Sequence, residues 1–145
     1  MAFRSHVLVC AGTGCVSCGS FKIGTAIERE LDKRGLSQEV QVVKTGCQGF
    51  CAEGPVLIVQ PDGVFYCGIT DKDVPILVDE HLLKGRPVTK LLYTPPAAPA
   101  PIPMLAEIPF FAKQTLVVLR NRGLIDPELL EDYVARDGYT ALVKA

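Results

Sequence analysis

A chain of 145 residues has room for one domain, or for one small domain with an appendage. At 48% hydrophobic and 21% charged residues it is composed as a globular protein, which excludes wholesale disorder. Fifteen Lys and Arg against sixteen Asp and Glu leave a net charge of −1, too balanced a field to gather nucleic acid or anionic lipid. The outlier is six Cys in a chain without Trp, which points to metal or redox chemistry.

Residues 3–10 read as a short buried strand ending in Cys10. Its apolar run is too short for a signal-peptide core or a membrane span, so a cytoplasmic location without membrane insertion is expected. A loop rich in Gly, Ser, Thr and Cys fills residues 11–19, and Ser20 is placed to cap a helix over 21–34. There Ile23, Ile27 and Leu31 recur on one face, and Gly35 stands where a helix C-terminal glycine is expected. Strands follow at 39–44, 56–59 and 64–67, the last two joined as a hairpin through 61–63, and a second helix spans 71–84. The order is β-α-β-β-β-α, an α/β fold, in which strand three can pair with strands one and four. A parallel crossover between the first two strands opens both cysteine-bearing loops at one sheet edge, where ligand sites of open α/β sheets lie.

Residues 94–109 hold six prolines among alanines and read as a stiff, extended linker rather than part of a core. Beyond it, residues 110–122 and 127–136 look helical, the second with Asp126 as N-cap and Pro127 at the first helical position, and 139–144 begins a further helical stretch. So short a helical tail buries little surface alone and is expected to dock on a larger body.

Cys10 and Cys15 have four residues between them, Cys47 and Cys51 have three, and both pairs lie in loops bearing glycine. Glycines there let backbone fold round a cluster and aim amides at sulfur, and four thiolates from two loops satisfy a 2Fe–2S cluster. Three other readings use the same residues. Cys10, Cys15 and Cys18 reproduce the C-x4-C-x2-C run of plant-type ferredoxins, although the close Cys47–Cys51 pair and the β-α-β order fit that poorly. Cys15-Val-Ser-Cys18 is a C-x-x-C before a helix, as in thiol–disulfide exchange, with Pro55 where thioredoxins carry a cis-proline. Four of the Cys could instead hold a structural zinc in an interaction module.

Cys10-Ala-Gly-Thr-Gly-Cys15 together with Gly46-Cys47-Gln-Gly-Phe-Cys51-Ala-Glu-Gly-Pro55 resembles the thioredoxin-like 2Fe–2S ferredoxin family. The resemblance implies a thioredoxin-like fold over residues 1–93 and the ligand set Cys10, Cys15, Cys47 and Cys51, with Cys18 extra to the pattern. The stretch from Val64-Phe-Tyr to Leu91-Leu-Tyr93 resembles this domain as fused to NADH-binding flavoprotein subunits of iron-iron hydrogenases and complex-I-like dehydrogenases. Leu119-Arg-Asn-Arg-Gly and Ile125-Asp-Pro-Glu resemble the lead-in to their flavin domain. That implies a one-electron carrier within a multi-subunit NADH-linked complex, with FMN and NADH bound in a downstream part or a partner, and residues 110–145 as the helical lead-in.

Other candidates read as structural. Gly12-Thr-Gly14 lacks the third glycine of a dinucleotide loop, since Ser17 takes its place. Cys67 in an apolar strand is expected to be a buried small hydrophobe. His6 and His81 have no ligand partner at helical spacing. Phe110 and Phe111 are expected as docking contacts for the larger body.

Overall fold

In the computed structural model, which describes residues 3–96, 98–122 and 124–145, the first strand is β1 (Ser5–Cys10). Met1 and Ala2, Ala97 of the expected linker and Gly123 of the Leu119–Gly123 motif lie outside the described residues. A one-turn helix, α1 (Thr13–Ser17), stands in the stretch expected to be loop, and α2 (Ser20–Lys33) follows. Then come β2 (Val40–Thr45), β3 (Leu57–Gln60) and β4 (Val64–Tyr66). The helix expected over 71–84 begins as a 3-10 turn closed by a reciprocal Thr70–Asp73 capping box, continues as α3 (Val74–Leu77) and ends in a π-helical stretch, Val78–Leu83. Among the described residues no helix is long and apolar enough to cross a membrane.

The sheet order is β2-β1-β3-β4, with β1 and β2 parallel and the remaining pairs antiparallel. Strand three therefore does pair with strands one and four. Because side chains alternate across a strand, the sheet builds two cores. Val7, Val9, Leu57, Val59 and Tyr66 meet the Ile23, Ile27 and Leu31 stripe of α2 and the apolar side of α3. On the other face Leu8, Cys10, Val43, Ile58 and Phe65 gather with Cys15 and Ile108.

The ends of α2 show what capped it. Gly35, at φ +68, closes a Schellman motif in which the Leu36 N–H donates to the Leu31 carbonyl and the Gly35 N–H to that of Asp32. At the other end the cap is Gly19, at φ +89, because the chain needs a left-handed turn between α1 and α2. Ser20 is consequently the first helical residue, and its buried Oγ has no hydrogen-bond partner among the described residues.

The proline-rich stretch does not stand away from the core. Met104 bridges to Val64 and Ile102 to Tyr93, the Phe65 N–H donates to the Pro103 carbonyl at 2.9 Å, and Ile108 is 1% exposed. β4 is the last strand of the sheet, and this segment covers its open edge. Pro103 suits such a strip because the Phe65 N–H draws on its carbonyl, while the N–H that the Gly63 carbonyl accepts comes from Leu105. Past it, α4 (Pro109–Ala112) is a single turn instead of a helix over 110–122; Thr115, Val117 and Val118, β-branched, disfavour its continuation. Further on lie α5 (Leu130–Ala135) and α6 (Thr140–Lys144). The cap of α5 is Leu129, not Asp126, whose carboxylate accepts the Glu128 N–H in a turn of its own.

Candidate metal centre

Cys10 ends β1, Cys15 lies within α1, and Cys47 and Cys51 flank the turn after β2, so the two loops rise side by side from the parallel strands. What lets them meet is the absence of three β-carbons. A Cβ on Gly12 would stand 3.0 Å from both Cβ and Sγ of Cys47, one on Gly14 3.0 Å from the Cys51 Cβ, and one on Gly54 3.1 Å from the Cys15 Sγ. Each loop thus uses glycine opposite a cysteine of the other.

Cys47 Sγ and Cys51 Sγ are 3.8 Å apart, the separation expected of two thiolates on one tetrahedral metal with bonds of about 2.3 Å. Cys10 is near enough to act on the thiols of both Cys15 and Cys47, so the buried pair adjoins the exposed one. Cys10 and Cys15 are each 1% exposed, whereas Cys47 and Cys51 are open at the surface. Among the described residues no three His, Cys, Asp or Glu side chains group round a single metal ion. Four sulfurs with one tight pair suit two irons with two thiolates each better than one zinc.

The amides and charges of the site act on sulfur unequally. Burial, and then the Cys10 thiol beside it, push Cys15 up to about 11, although the Val56 N–H points at its sulfur. The Gly49 N–H, donating to Cys47 Sγ at 3.3 Å, and then the Cys51 thiol hold Cys47 below the usual thiol range. Cys51 is raised in turn by Cys47. Thiols crowded in this way resist ionising together unless a nearby cation compensates their charge. Thiol exchange needs the reverse at Cys15, an accessible thiol lowered toward neutral pH.

Cys18 follows α1 and is exposed. Cys67 lies just past β4, half-buried and pushed up to about 11 by burial and then by Glu53. The Gly54–Pro55 bond is cis, as expected of that position in a thioredoxin-like fold. His81 is buried in the first core, its Nδ1 against Tyr66 Oη at 2.9 Å, and serves packing there.

Sequence reasoning missed an aromatic cover beside the site. Phe50, between Gly49 and Cys51, stacks on Phe111 with centroids 5.1 Å apart, and meets Phe65, Tyr93 and Phe110 edge-on. Phe110 and Phe111 thus pack on this chain's own cysteine loop. The signal available in the sequence was Phe50 itself, an aromatic residue inside a glycine-rich loop.

The thioredoxin-like [2Fe-2S] ferredoxin family matches residues 2–81. A 2Fe-2S ferredoxin of Clostridium pasteurianum is 38% identical over 96 residues, covering 61% of this chain and 94% of its own. A 2Fe-2S ferredoxin of Aquifex aeolicus is 34% identical over 101 residues, covering 63% and 91%. The solved structure of a thioredoxin-like [2Fe-2S] ferredoxin from Aquifex aeolicus superposes with a TM-score of 0.58 at 31% identity, covering 67% of this chain and 99% of that one.

Proposed function

Since the chain belongs to the thioredoxin-like [2Fe-2S] ferredoxin family, and is an electron carrier whose cofactor is a 2Fe–2S cluster, we propose that Cys10, Cys15, Cys47 and Cys51 are the ligands. The observation that carries the ligand set is the interlock of Gly12, Gly14 and Gly54 with Cys47, Cys51 and Cys15, which draws these sulfurs together. When bound, the cluster supplies a one-electron couple. The chain supplies four thiolates, the Gly49 and Val56 amides that stabilise charge on sulfur, and a buried wall behind Cys10 and Cys15 that excludes water.

The carrier works in an NADH-linked complex of the hydrogenase or NADH dehydrogenase type, in the cytoplasm. Residues 1–93 are the carrier domain, 94–109 the connection, and 110–145 the lead-in to a flavin- and NADH-binding region. Hydride transfer from NADH delivers two electrons to a flavin, which passes them on singly. Support comes from Leu119-Arg-Asn-Arg and Ile125-Asp-Pro-Glu, and from the exposed Val117, Val118, Leu142 and Val143, which suit a docking tail.

EPR of the anaerobic, dithionite-reduced protein tests the ligands: one spin-half signal and about two irons per chain are expected. Serine at Cys10, Cys15, Cys47 or Cys51 should abolish or alter that signal, and serine at Cys18 or Cys67 should leave it. A signal lost with Cys18→Ser and kept with Cys51→Ser overturns the set. For the complex, NADH should bleach the visible absorption only when an FMN-bearing NADH-oxidising flavoprotein is added. Bleaching by dithionite but never by NADH refutes that role and leaves the carrier standing.

A further inference from the structure

The exposed edge of the cysteine site, formed by Cys47 and Cys51, is overlooked by a cation. After α4 the tail returns so that Val118, Leu119, Arg122 and Ile125 line a groove of about 370 Å³ together with the turn at Thr45, Gly46 and Cys47. Arg122 is half-buried there, and among the described residues no carboxylate pairs with it. Its guanidinium carbon lies 6.0 Å from the Phe111 ring centroid, and Phe111 stacks on Phe50 with the planes 23° apart. Phe50 in turn adjoins Cys51 and follows Gly49, whose N–H donates to Cys47 Sγ. Two stacked rings therefore connect Arg122 to the turn that carries both exposed sulfurs.

We propose that Arg122 is a positioning residue for electron transfer: held beside Cys47 by the Phe111–Phe50 stack, its charge stabilises the reduced state and raises the reduction potential of the site. This rests on the reading that Cys47 is a cluster ligand. Four thiolates already make the site negative, and one added electron makes it one unit more so. A cation facing that charge favours the reduced form.

Redox titration with EPR detection of the cluster-loaded chain separates charge from packing. Arg122→Gln should lower the ratio of reduced to oxidised protein at a fixed ambient potential by about five- to tenfold, a midpoint ~40–60 mV lower for a one-electron couple. Arg122→Lys keeps the charge without the planar stack and should stay within about twofold of wild type. The gap between wild type and Arg122→Gln should narrow as salt is raised toward about 1 M. A Gln variant with full iron content and an unmoved midpoint overturns the proposal, and so do Gln and Lys variants that shift together. If Arg122→Gln assembles no cluster, Arg122→Met takes its place, and loss of the cluster in every neutral variant would assign the residue to assembly and refute tuning. A Cys47→Ser chain with an unaltered spectrum would instead refute the ligand reading from which the proposal starts.

Discussion

Gly12→Ala puts the two-loop interlock to its most direct test. The backbone of Gly12 lies at φ −63 and ψ 146, a conformation open to any residue, so strain at the substituted position is not at issue. Space is. The added methyl would sit 3.0 Å from the Cβ and the Sγ of Cys47 and 3.3 Å from its Cα. Carbon atoms settle at about 3.5–4.0 Å, so the loop bearing Cys47 must retreat by roughly half an ångström. Overpacking of this kind costs about 1–3 kcal/mol. Each kcal/mol lowers the Tm of a chain this size by roughly 3–5 °C. The retreat also moves Cys47 away from its 3.8 Å approach to Cys51, so cluster retention should suffer as well as stability.

Gly46→Ala is the matched control, one residue from Cys47 in the same loop. A Cβ there meets nothing within 4 Å, and Gly46 is not among the residues at positive φ. It should assemble and melt as wild type does, or slightly higher, because alanine restricts the unfolded chain. Iron and sulfide content per chain, the EPR spectrum and the Tm are the measurements. Gly12→Ala indistinguishable from wild type, or both variants equally impaired, would refute the contact argument.

On the other face of the sheet, Tyr66 Oη accepts the Val88 N–H at 3.0 Å and is hydrogen-bonded with His81 Nδ1 at 2.9 Å. Tyr66→Phe leaves both groups buried without a partner and should cost about 1–3 kcal/mol in urea unfolding at an unchanged m-value, with the EPR spectrum intact. The same arrangement fixes a pH dependence. Burial depresses His81 below its ordinary 6.5, and Asp62 beside Nε2 only partly opposes this. Between the depressed value and 6.5 the unfolded chain binds more protons than the folded one, so stability is full above 6.5 and falls as pH drops through that window. His81→Gln should flatten this slope relative to wild type when denaturant midpoints are followed from neutral pH downward, and parallel profiles for the two proteins would refute the assignment.

What could be read from the sequence was what short spans determine. The stripe of Ile23, Ile27 and Leu31 and the glycine after it define α2 within its own turns, and the structure adds only the identity of the first cap. The cysteine pairs were legible for a similar reason, since each is presented by one loop at the end of a strand, and a β-α-β crossover brings such loops to a common edge. The glycines were seen there as slack for the backbone. Their requirement is steric and lies on the opposite loop, and nothing near Gly12 in sequence announces that Cys47 will stand against it.

The longest-range features were the least visible. The six prolines of residues 94–109 suggested a spacer, and the apolar residues spaced between them, Ile102, Met104 and Ile108, carry no period that a strand or helix template detects. Their order comes from the open edge of β4, which exists only once the sheet has formed. Phe110 and Phe111 likewise find their purpose in Phe50, far upstream, and Arg122 in the ring of Phe111. Identity and tuning of the site are therefore encoded differently. The cysteine pairs are placed by spacing within loops, whereas the aromatic cluster beside them is set by contacts between distant segments, so a change at Phe110 or Phe111 can act on the site without altering any of the four proposed ligands.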